Sequence, residues 1–178
     1  EKIGNDDNKF SVDEVIDISM IANSLIMQEY NHPHTTNIFN EFGEERNSFR
    51  IARAIKESSE EINADRLVSI ISRMTAYKYR IKTYSRIFQA LRIKTNNELD
   101  HLESFLNDFM KFLKPKGRIV IISYHSMEDR MVKHKFKELK LNKELKVLSK
   151  KPFIPTDEEI FDNKRSRSAK MRVGEKIG

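Results

Sequence analysis

Residues 114–124 read Lys-Pro-Lys-Gly-Arg-Ile-Val-Ile-Ile-Ser-Tyr (KPKGRIVIISY). A turn with Pro and Gly leads there into a continuous β-branched run, whereas the apolar residues before it recur at helical spacing. Such a run is typical of a strand buried on both faces, as in a parallel sheet. Because a helix is predicted on each side of it, the stretch forms half of an α/β unit and predicts an α/β fold.

The sequence on the N-terminal side of this strand predicts helices only. Ser11 and Glu14 have the spacing of a capping box, and the helix that they open is expected to end before a breaker at residues 31–34. Further helices are predicted over residues 35–42, 44–57 and 83–93, and after the N-cap Asn63. Phe49 is expected to face the core, and residues 95–98 are interpreted as a second capping box that restarts or bends the helix.

On the C-terminal side of the strand, helices and strands are predicted to alternate. Ser126 is expected to cap a helix over residues 127–139, with Asp129 at its third position. The later elements are a strand at 145–148, a short helix opened by Thr156 and a half-exposed strand at 168–173. The first part of the chain, roughly 80 residues, is therefore predicted to be all helical and the remainder α/β.

Composition excludes several classes of site. The 178 residues contain no Cys, which rules out a disulfide scaffold, a thiolate metal site and a Cys nucleophile. The apolar runs are too short to span a bilayer, and the polar N-terminus resembles neither a signal peptide nor a transit peptide. A cytoplasmic location is expected, or an organellar matrix if the source is eukaryotic. His32 and His34 have no acidic residue at a regular spacing, and we predict no metal site.

The net charge of +6 is unevenly distributed along the chain. Residues 1–109 contain 14 Lys and Arg and 18 Asp and Glu, a net charge of −4, whereas residues 110–178 contain 19 and 9, a net charge of +10. This split favours a polyanionic partner for the second half, with nucleic acid as the first candidate. Arg165, Arg167 and Lys170 alternate there with small hydroxyl residues, which suits phosphate contacts. A solvated Lys-rich surface is the alternative and has about equal weight.

A polar cluster follows the predicted buried strand, at the end where ligands bind in open α/β sheets. Its members carry hydroxyl, phenol, imidazole, carboxylate and guanidinium groups: Ser123, Tyr124, His125, Ser126, Glu128, Asp129 and Arg130. The alternative is that these residues are only caps, core and turn residues. We favour function, because strand-end polar clusters are commonly sites.

Several motifs, taken in order, resemble one protein family. They are GEER at 43–46 with RIARAI at 50–55, RIFQALRI at 86–93 with NEL at 97–99, KGR at 116–118 with SYHSMEDR at 123–130, KP at 151–152, and RSRSAKMRV at 165–173. Together they resemble the bacterial-type 16S rRNA cytosine-N4 methyltransferase family, over the region from about residue 36 to residue 178.

The resemblance implies a class I (Rossmann-like) methyltransferase fold with an all-helical insert. Residues 1–82 would be the helical insert domain, and residues 83–178 the C-terminal part of the methyltransferase α/β domain. It further implies S-adenosylmethionine-dependent N4-methylation of a cytidine in the decoding region of small-subunit rRNA. The implied partner is 16S-type rRNA or the small ribosomal subunit; no membrane is implied, and a homodimer stays open.

The resemblance also suggests roles for the clustered residues. Tyr124, His125 and Ser126 would line the cytidine pocket, and His125, Glu128 or Asp129 would accept a hydrogen bond from the N4 amine. The residues expected to hold rRNA phosphates are Arg165, Arg167, Lys170 and Arg172. Arg50 and Arg53 either face RNA or pair with Glu57 and its neighbours.

This sequence departs from the family in two respects, one of which is that residues 18–34 look longer than, and different from, the family's pattern. The Gly-rich loop that binds the methyl donor and the acidic residue for its ribose have no counterpart here, so no residue can be assigned to S-adenosylmethionine. The chain is accordingly expected to be the substrate-side part of the enzyme. The alternative is a non-catalytic RNA-binding remnant that lacks the methyl-donor site.

Overall fold

A computed structural model describes residues 32–58 and 62–178. The chain divides into two compact units, Glu1–Glu98 and Leu99–Gly178. The predicted capping box at Ser11 and the helix after it lie outside the described residues. Among the described helices, none combines the length and the apolar composition that crossing a membrane requires.

The described part of the first unit is helical, as predicted. Its elements are α1 (His32–Glu41), α2 (Ser48–Lys56), α3 (Ala64–Met74), a 3₁₀ turn (Tyr77–Tyr79) and α4 (Arg80–Thr95). Asn63 caps α3 as expected, because its side chain accepts a hydrogen bond from the backbone N of Arg66 at 2.8 Å. The core between these helices includes Phe39, Leu67 and Ile87, all fully buried.

Three local predictions in this unit are wrong. Residues 32–34 of the predicted breaker are helical, because Pro33 lies in the first turn of α1. A backbone N–H at that position would have no partner within the helix, so the lack of one in proline costs nothing there. Phe49 is mostly exposed, because the buried face of α2 is Ser48, Ile51, Ala52 and Ile55, and Phe49 falls outside this i, i+3, i+4, i+7 stripe. Thr95 is no cap: α4 includes it, and its hydroxyl donates to the carbonyl of Leu91 at 3.0 Å. The restart predicted for residues 95–98 is confirmed, because α4 ends at Thr95 and a new helix begins at Glu98.

The GEER motif is a packing junction between α1, α2 and α4. Glu45 is 1% exposed, and its carboxylate accepts hydrogen bonds from the backbone N of Asn47 at 2.9 Å and from Nη1 of Arg86 at 3.0 Å. A Cβ at Gly43 would lie 2.7 Å from the carbonyl oxygens of both Arg86 and Phe39. The close approach of α1 to α4 therefore requires glycine at this position.

The second unit packs helices on one face of a small sheet. Its elements are α5 (Glu98–Phe112), β1 (Arg118–Ser123), α6 (Ser126–Leu141), β2 (Leu145–Val147), α7 (Asp157–Asp162), a 3₁₀ turn (Lys164–Ser168) and β3 (Lys170–Lys176). The strand order is β1-β3-β2, and both pairs are antiparallel, with Val120 opposite Val173 and Leu145 opposite Lys176. The predicted strands and the helix opened by Thr156 are confirmed, and so is the α/β class.

The environment predicted for β1 is wrong in two ways. Its described pairing is antiparallel, and only one of its faces is covered. Ile119 and Ile121 pack against a core that includes Leu106 of α5 and Val132 of α6, whereas Val120 and Ile122 are each 53% exposed. An apolar run shows that both faces of a strand suit burial, but it does not specify which neighbours a strand acquires.

Candidate functional site

The turn between β1 and α6 is closed by a reciprocal capping box. His125 is the N-cap of α6, and its Nδ1 accepts a hydrogen bond from the backbone N of Glu128 at 3.4 Å. The Glu128 carboxylate accepts from the backbone N of Tyr124 at 2.9 Å and from that of His125 at 3.4 Å. The predicted cap, Ser126 with Asp129, is therefore wrong by one residue. The reason is that Glu128 reaches back to the end of the strand and the helix already begins at Ser126.

This cap buries the imidazole of His125, whose side chain is only 7% exposed. Its Nε2 lies 3.2 Å from Oε1 of Glu128, but it has no hydrogen-bond partner within the described part of the chain. The short distance without a hydrogen bond indicates that the two groups are close but not aligned for one. His125 thus combines a structural contact at Nδ1 with an unsatisfied polar atom at Nε2.

Glu128 is held as a carboxylate by its surroundings. Burial by itself raises the pKa of Glu128. The interaction with the His125 side chain and the backbone N–H groups of Tyr124 and His125 outweighs burial and lowers that pKa below its ordinary value. Tyr124, immediately before the cap, is more than half exposed, whereas Ser126 is partly buried. The strand end therefore presents an exposed phenol ring next to an ionised acceptor.

Asp129 is engaged by Arg172 of β3. The guanidinium donates two hydrogen bonds, Nε to Oδ1 at 2.7 Å and Nη2 to Oδ2 at 3.1 Å, and Nζ of Lys170 lies 3.8 Å from Oδ2. Burial raises the pKa of Asp129, but the hydrogen bonds and charges of Arg172, with the charges of Lys170 and Lys133, lower it overall. The structure thus brings a predicted catalytic residue together with two residues predicted to hold phosphates.

The remaining predicted RNA-binding residues lie on exposed surfaces. Arg165 and Arg167 flank the buried Ser166 in the 3₁₀ turn, and both are exposed. Asn163 stabilises that turn, because its Oδ1 accepts from the backbone N of Arg165 at 3.1 Å. The second basic pair, Arg50 and Arg53, lies in the first unit and is also exposed. Nε of Arg53 donates to Glu57 at 2.7 Å, which is the ion pair given as its alternative role.

The sequence reasoning missed an exposed aromatic and basic segment in the first unit. Tyr77 and Tyr79 expose large parts of their rings beside Lys78 and Arg80. One signal in the sequence marks it, since residues 66–97 contain no Asp or Glu. Averaging the charge over residues 1–109 concealed this stretch, because acidic residues on both sides of it make the total negative.

The described glycines do not form a cradle for a nucleotide-like methyl donor. A Cβ at Gly117 would lie 2.8 Å from the carbonyl oxygen of Lys114, and one at Gly174 would lie 2.7 Å from Cδ2 of Leu145. Together with Gly43, these glycines approach atoms of the chain itself, not an open space that a ligand could fill. These three glycines therefore form no cradle for S-adenosylmethionine, and no donor-binding residue is assigned among the described residues.

Comparisons with known proteins point in one direction. A family model described as the MraW methylase family matches residues 10–177. The chain is 45% identical over 160 residues to the ribosomal RNA small subunit methyltransferase H of Trichodesmium erythraeum, covering 88% of this chain and 56% of that protein. It is 47% identical over 154 residues to the protein of the same name from a Nostoc species, covering 85% of this chain and 50% of the relative.

A more distant relative agrees. The chain is 39% identical over 188 residues to the ribosomal RNA small subunit methyltransferase H of Halothermothrix orenii, covering 91% of this chain and 60% of that protein. The chain thus spans about half the length of the curated relatives it matches.

Proposed function

This chain belongs to the MraW methylase family, and from that premise we propose that it is the substrate-side part of an S-adenosylmethionine-dependent enzyme that methylates N4 of a cytidine in the decoding region of small-subunit rRNA. The observation that carries the proposal is the identity of 45–47%, over 85–88% of the chain, to proteins named ribosomal RNA small subunit methyltransferase H. The partner would be the 16S-type rRNA or the small ribosomal subunit.

The strand end after β1 supports a role in holding the base. The lone pair of the cytosine N4 amine is delocalised into the ring, so the amine reacts readily only when it is oriented and when charge developing on it is stabilised. In this proposal the exposed Tyr124 ring stacks on a cytosine that has left its helix. The ionised Glu128 carboxylate lies next to it as the acceptor for the amine. His125 is not a second acceptor, because its Nδ1 accepts the backbone N–H of Glu128 and its Nε2 is buried 3.2 Å from Oε1 of Glu128; it positions that carboxylate.

The ion pair between Asp129 and Arg172 suggests how the predicted catalytic and phosphate-binding roles are divided among these residues. Both Asp129 oxygens are engaged by Arg172, which favours a positioning role for this pair in fixing the strand end. Arg165 and Arg167 are exposed and remain the proposed phosphate contacts, with Lys170 at the edge of the ion pair. The division into a helical insert over residues 1–82 and an α/β part over residues 83–178 likewise stays a proposal.

The experiment is a chemical one on the rRNA itself. Small-subunit rRNA is purified from cells in which the gene encoding this sequence has been deleted, and from the same cells carrying the gene again. Mass spectrometry of rRNA fragments is expected to show one N4-methylated cytidine lost on deletion and restored by the gene. Methylation that is unchanged by deletion would overturn the proposal. Together with retained rRNA binding by the chain, that result would support the non-catalytic RNA-binding alternative.

A further inference from the structure

A long stretch of the first unit is basic and free of acidic residues. Residues 66–97 contain neither Asp nor Glu. Their cations are Arg66, Arg73, Lys78, Arg80, Lys82, Arg86, Arg92 and Lys94. The interval also contains three of the five tyrosines of the chain, although the surrounding half is negative overall. A polyanion would therefore meet attractive charge here without repulsion from the stretch itself.

The structure displays part of this stretch as alternating rings and cations. Tyr77 is 84% exposed and Tyr79 is 53% exposed. Nζ of Lys78 lies 4.9 Å from the centroid of the Tyr79 ring, and the guanidinium carbon of Arg80 lies 5.5 Å from the centroid of the Tyr77 ring. A positive charge therefore lies next to each ring, and both distances from cation to ring centroid are short enough for cation–π attraction.

The backbone holds these side chains in a fixed arrangement. The backbone N of Tyr79 donates to the carbonyl of Ala76 at 2.9 Å, which closes the 3₁₀ turn just before α4. Nε of Arg80 donates to the carbonyl of Thr75 at 3.2 Å, and this contact fixes the guanidinium. Tyr84 is different, because its hydroxyl is hydrogen-bonded to Ser72 at 2.7 Å and it packs against the core.

We propose that the Tyr77–Lys82 surface, residues 77–82, is a binding platform for an unpaired RNA strand. Exposed aromatic rings stack on the faces of unpaired bases, and neighbouring cations contact the phosphates between them. A duplex offers no such base faces, because its bases are stacked on one another. The surface lies in a different unit from the strand end at Tyr124, so it adds a contact that the proposed site does not contain.

The inference rests on the proposed function only for the identity of the RNA as small-subunit rRNA. An anionic lipid surface is the competing partner, because tyrosine and basic residues also occur at membrane interfaces. We favour RNA because the acid-free interval continues beyond the exposed rings to Lys82 and Lys94, as a contact along a polyanionic strand requires. Two other cations of α4 are engaged by acids from outside the interval, Arg86 by Glu45 and Arg92 by Glu98.

The test measures binding of the 178-residue chain to a short unstructured RNA oligonucleotide by fluorescence anisotropy at several salt concentrations. The double variant Tyr77→Ala/Tyr79→Ala is expected to bind about tenfold more weakly or worse, with an unchanged salt slope, because tyrosine carries no charge. Tyr77→Phe/Tyr79→Phe keeps both rings and should retain the wild-type affinity. Lys78→Ala/Lys82→Ala should lower the log–log salt slope by about 0.7 for each lost phosphate contact.

Phe161→Ala is the matched control, because Phe161 is an exposed aromatic residue that lies among the acidic residues of α7. It should bind RNA as the wild type does, and thermal unfolding should show all variants folded. Wild-type affinity in the Tyr→Ala variant would overturn the inference, as would an equal loss in the Phe161→Ala control. A second result would also overturn the inference: the wild type binds phosphatidylserine vesicles, and the Tyr77→Ala/Tyr79→Ala variant loses this binding while it still binds RNA. The rRNA methylation measurement is separate, so either proposal can fail alone.

Discussion

Each unit of the molecule contains a carboxylate–arginine pair that joins distant segments, but the two pairs differ in geometry and exposure. In the first unit, Glu45 is bound by Arg86, 41 residues away, through one hydrogen bond, and the Arg86 side chain is 40% exposed. In the second unit, Asp129 is bound by Arg172, 43 residues away, through two hydrogen bonds, and the Arg172 side chain is 9% exposed.

The difference shows what each pair contributes. The Glu45 carboxylate also accepts a backbone hydrogen bond from Asn47, so it keeps one partner when Arg86 is absent. The Asp129–Arg172 pair links the first turn of α6 to β3, and both partners are largely buried. Breaking a buried pair leaves an uncompensated charge, whereas water can replace a half-exposed partner.

The largest effect is expected from Arg172→Ala. Removing this side chain leaves the Asp129 carboxylate with Lys170 at 3.8 Å as its nearest cation, and we expect stability to fall by about 3 kcal/mol. Urea denaturation followed by circular dichroism measures the change. A loss smaller than that of an exposed control, Arg167→Ala, would show that the pair contributes little to stability.

A smaller loss is expected from Arg86→Ala in the first unit, about 1–2 kcal/mol, because the guanidinium is partly solvated and Glu45 retains its backbone donor. The same denaturation experiment applies, with Arg53→Ala as the control for an exposed ion pair. A loss equal to or larger than that of Arg172→Ala would reverse the ranking of the two pairs.

Long-range pairs of this kind are what the sequence could not predict. The helices and β1 follow from local periodicity and from a β-branched run, so their positions were largely correct. The partner of β1, in contrast, is β3, about 50 residues later in the chain, and nothing within residues 118–124 specifies it. For the same reason Asp129 and Arg172 were assigned separate roles, although the structure joins them.

The third prediction concerns the cap of α6. His125→Ala removes the acceptor for the Glu128 N–H, and the stability is expected to fall by about 1 kcal/mol. His125→Asn should recover most of this loss, because Asn is a favourable N-cap. Denaturation of the two variants side by side measures the difference. An Asn variant no more stable than the Ala variant would mean that capping is not what His125 contributes.

The same pair of variants separates structure from function at this residue. In the proposed site, Nε2 of His125 lies 3.2 Å from Oε1 of Glu128 and positions this carboxylate next to the base, and Asn cannot supply that atom. The Asn variant should therefore regain stability without regaining methylation in the complemented cells. Full methylation with Asn would leave His125 with the capping role alone.

The smallest effect is expected from pH. The pKa values of Glu128 and Asp129 are lowered on folding from their ordinary values of 4.5 and 3.8. Their contribution to stability is therefore fully present above these values and is lost as the pH falls through the lower, folded pKa values. The free energy of unfolding, measured between pH 7 and pH 3, should decline less steeply with falling pH in Asp129→Asn than in the wild type. Parallel curves would contradict this account of Asp129.

The candidate site was predictable where its residues are adjacent in the chain. Tyr124, His125 and Glu128 follow one strand, so their proximity was evident from the sequence, although the assignment of the cap was wrong by one residue. Adjacent polar residues compete for the N-cap, and the side chain of Glu128 decides the outcome by reaching back to the backbone of Tyr124. Side-chain geometry of that kind is not encoded in spacing alone.

The central claim is that the strand end at Tyr124 holds the cytidine. The most direct test is the amount of N4-methylcytidine in small-subunit rRNA from deletion cells that carry Tyr124→Ala, compared with Tyr124→Phe at equal protein levels. Because Tyr124 is exposed, neither variant should be unstable. The account predicts initial methylation rates about tenfold lower or worse for Ala, from the loss of base stacking, and near-normal rates for Phe. Wild-type methylation by Tyr124→Ala would contradict it.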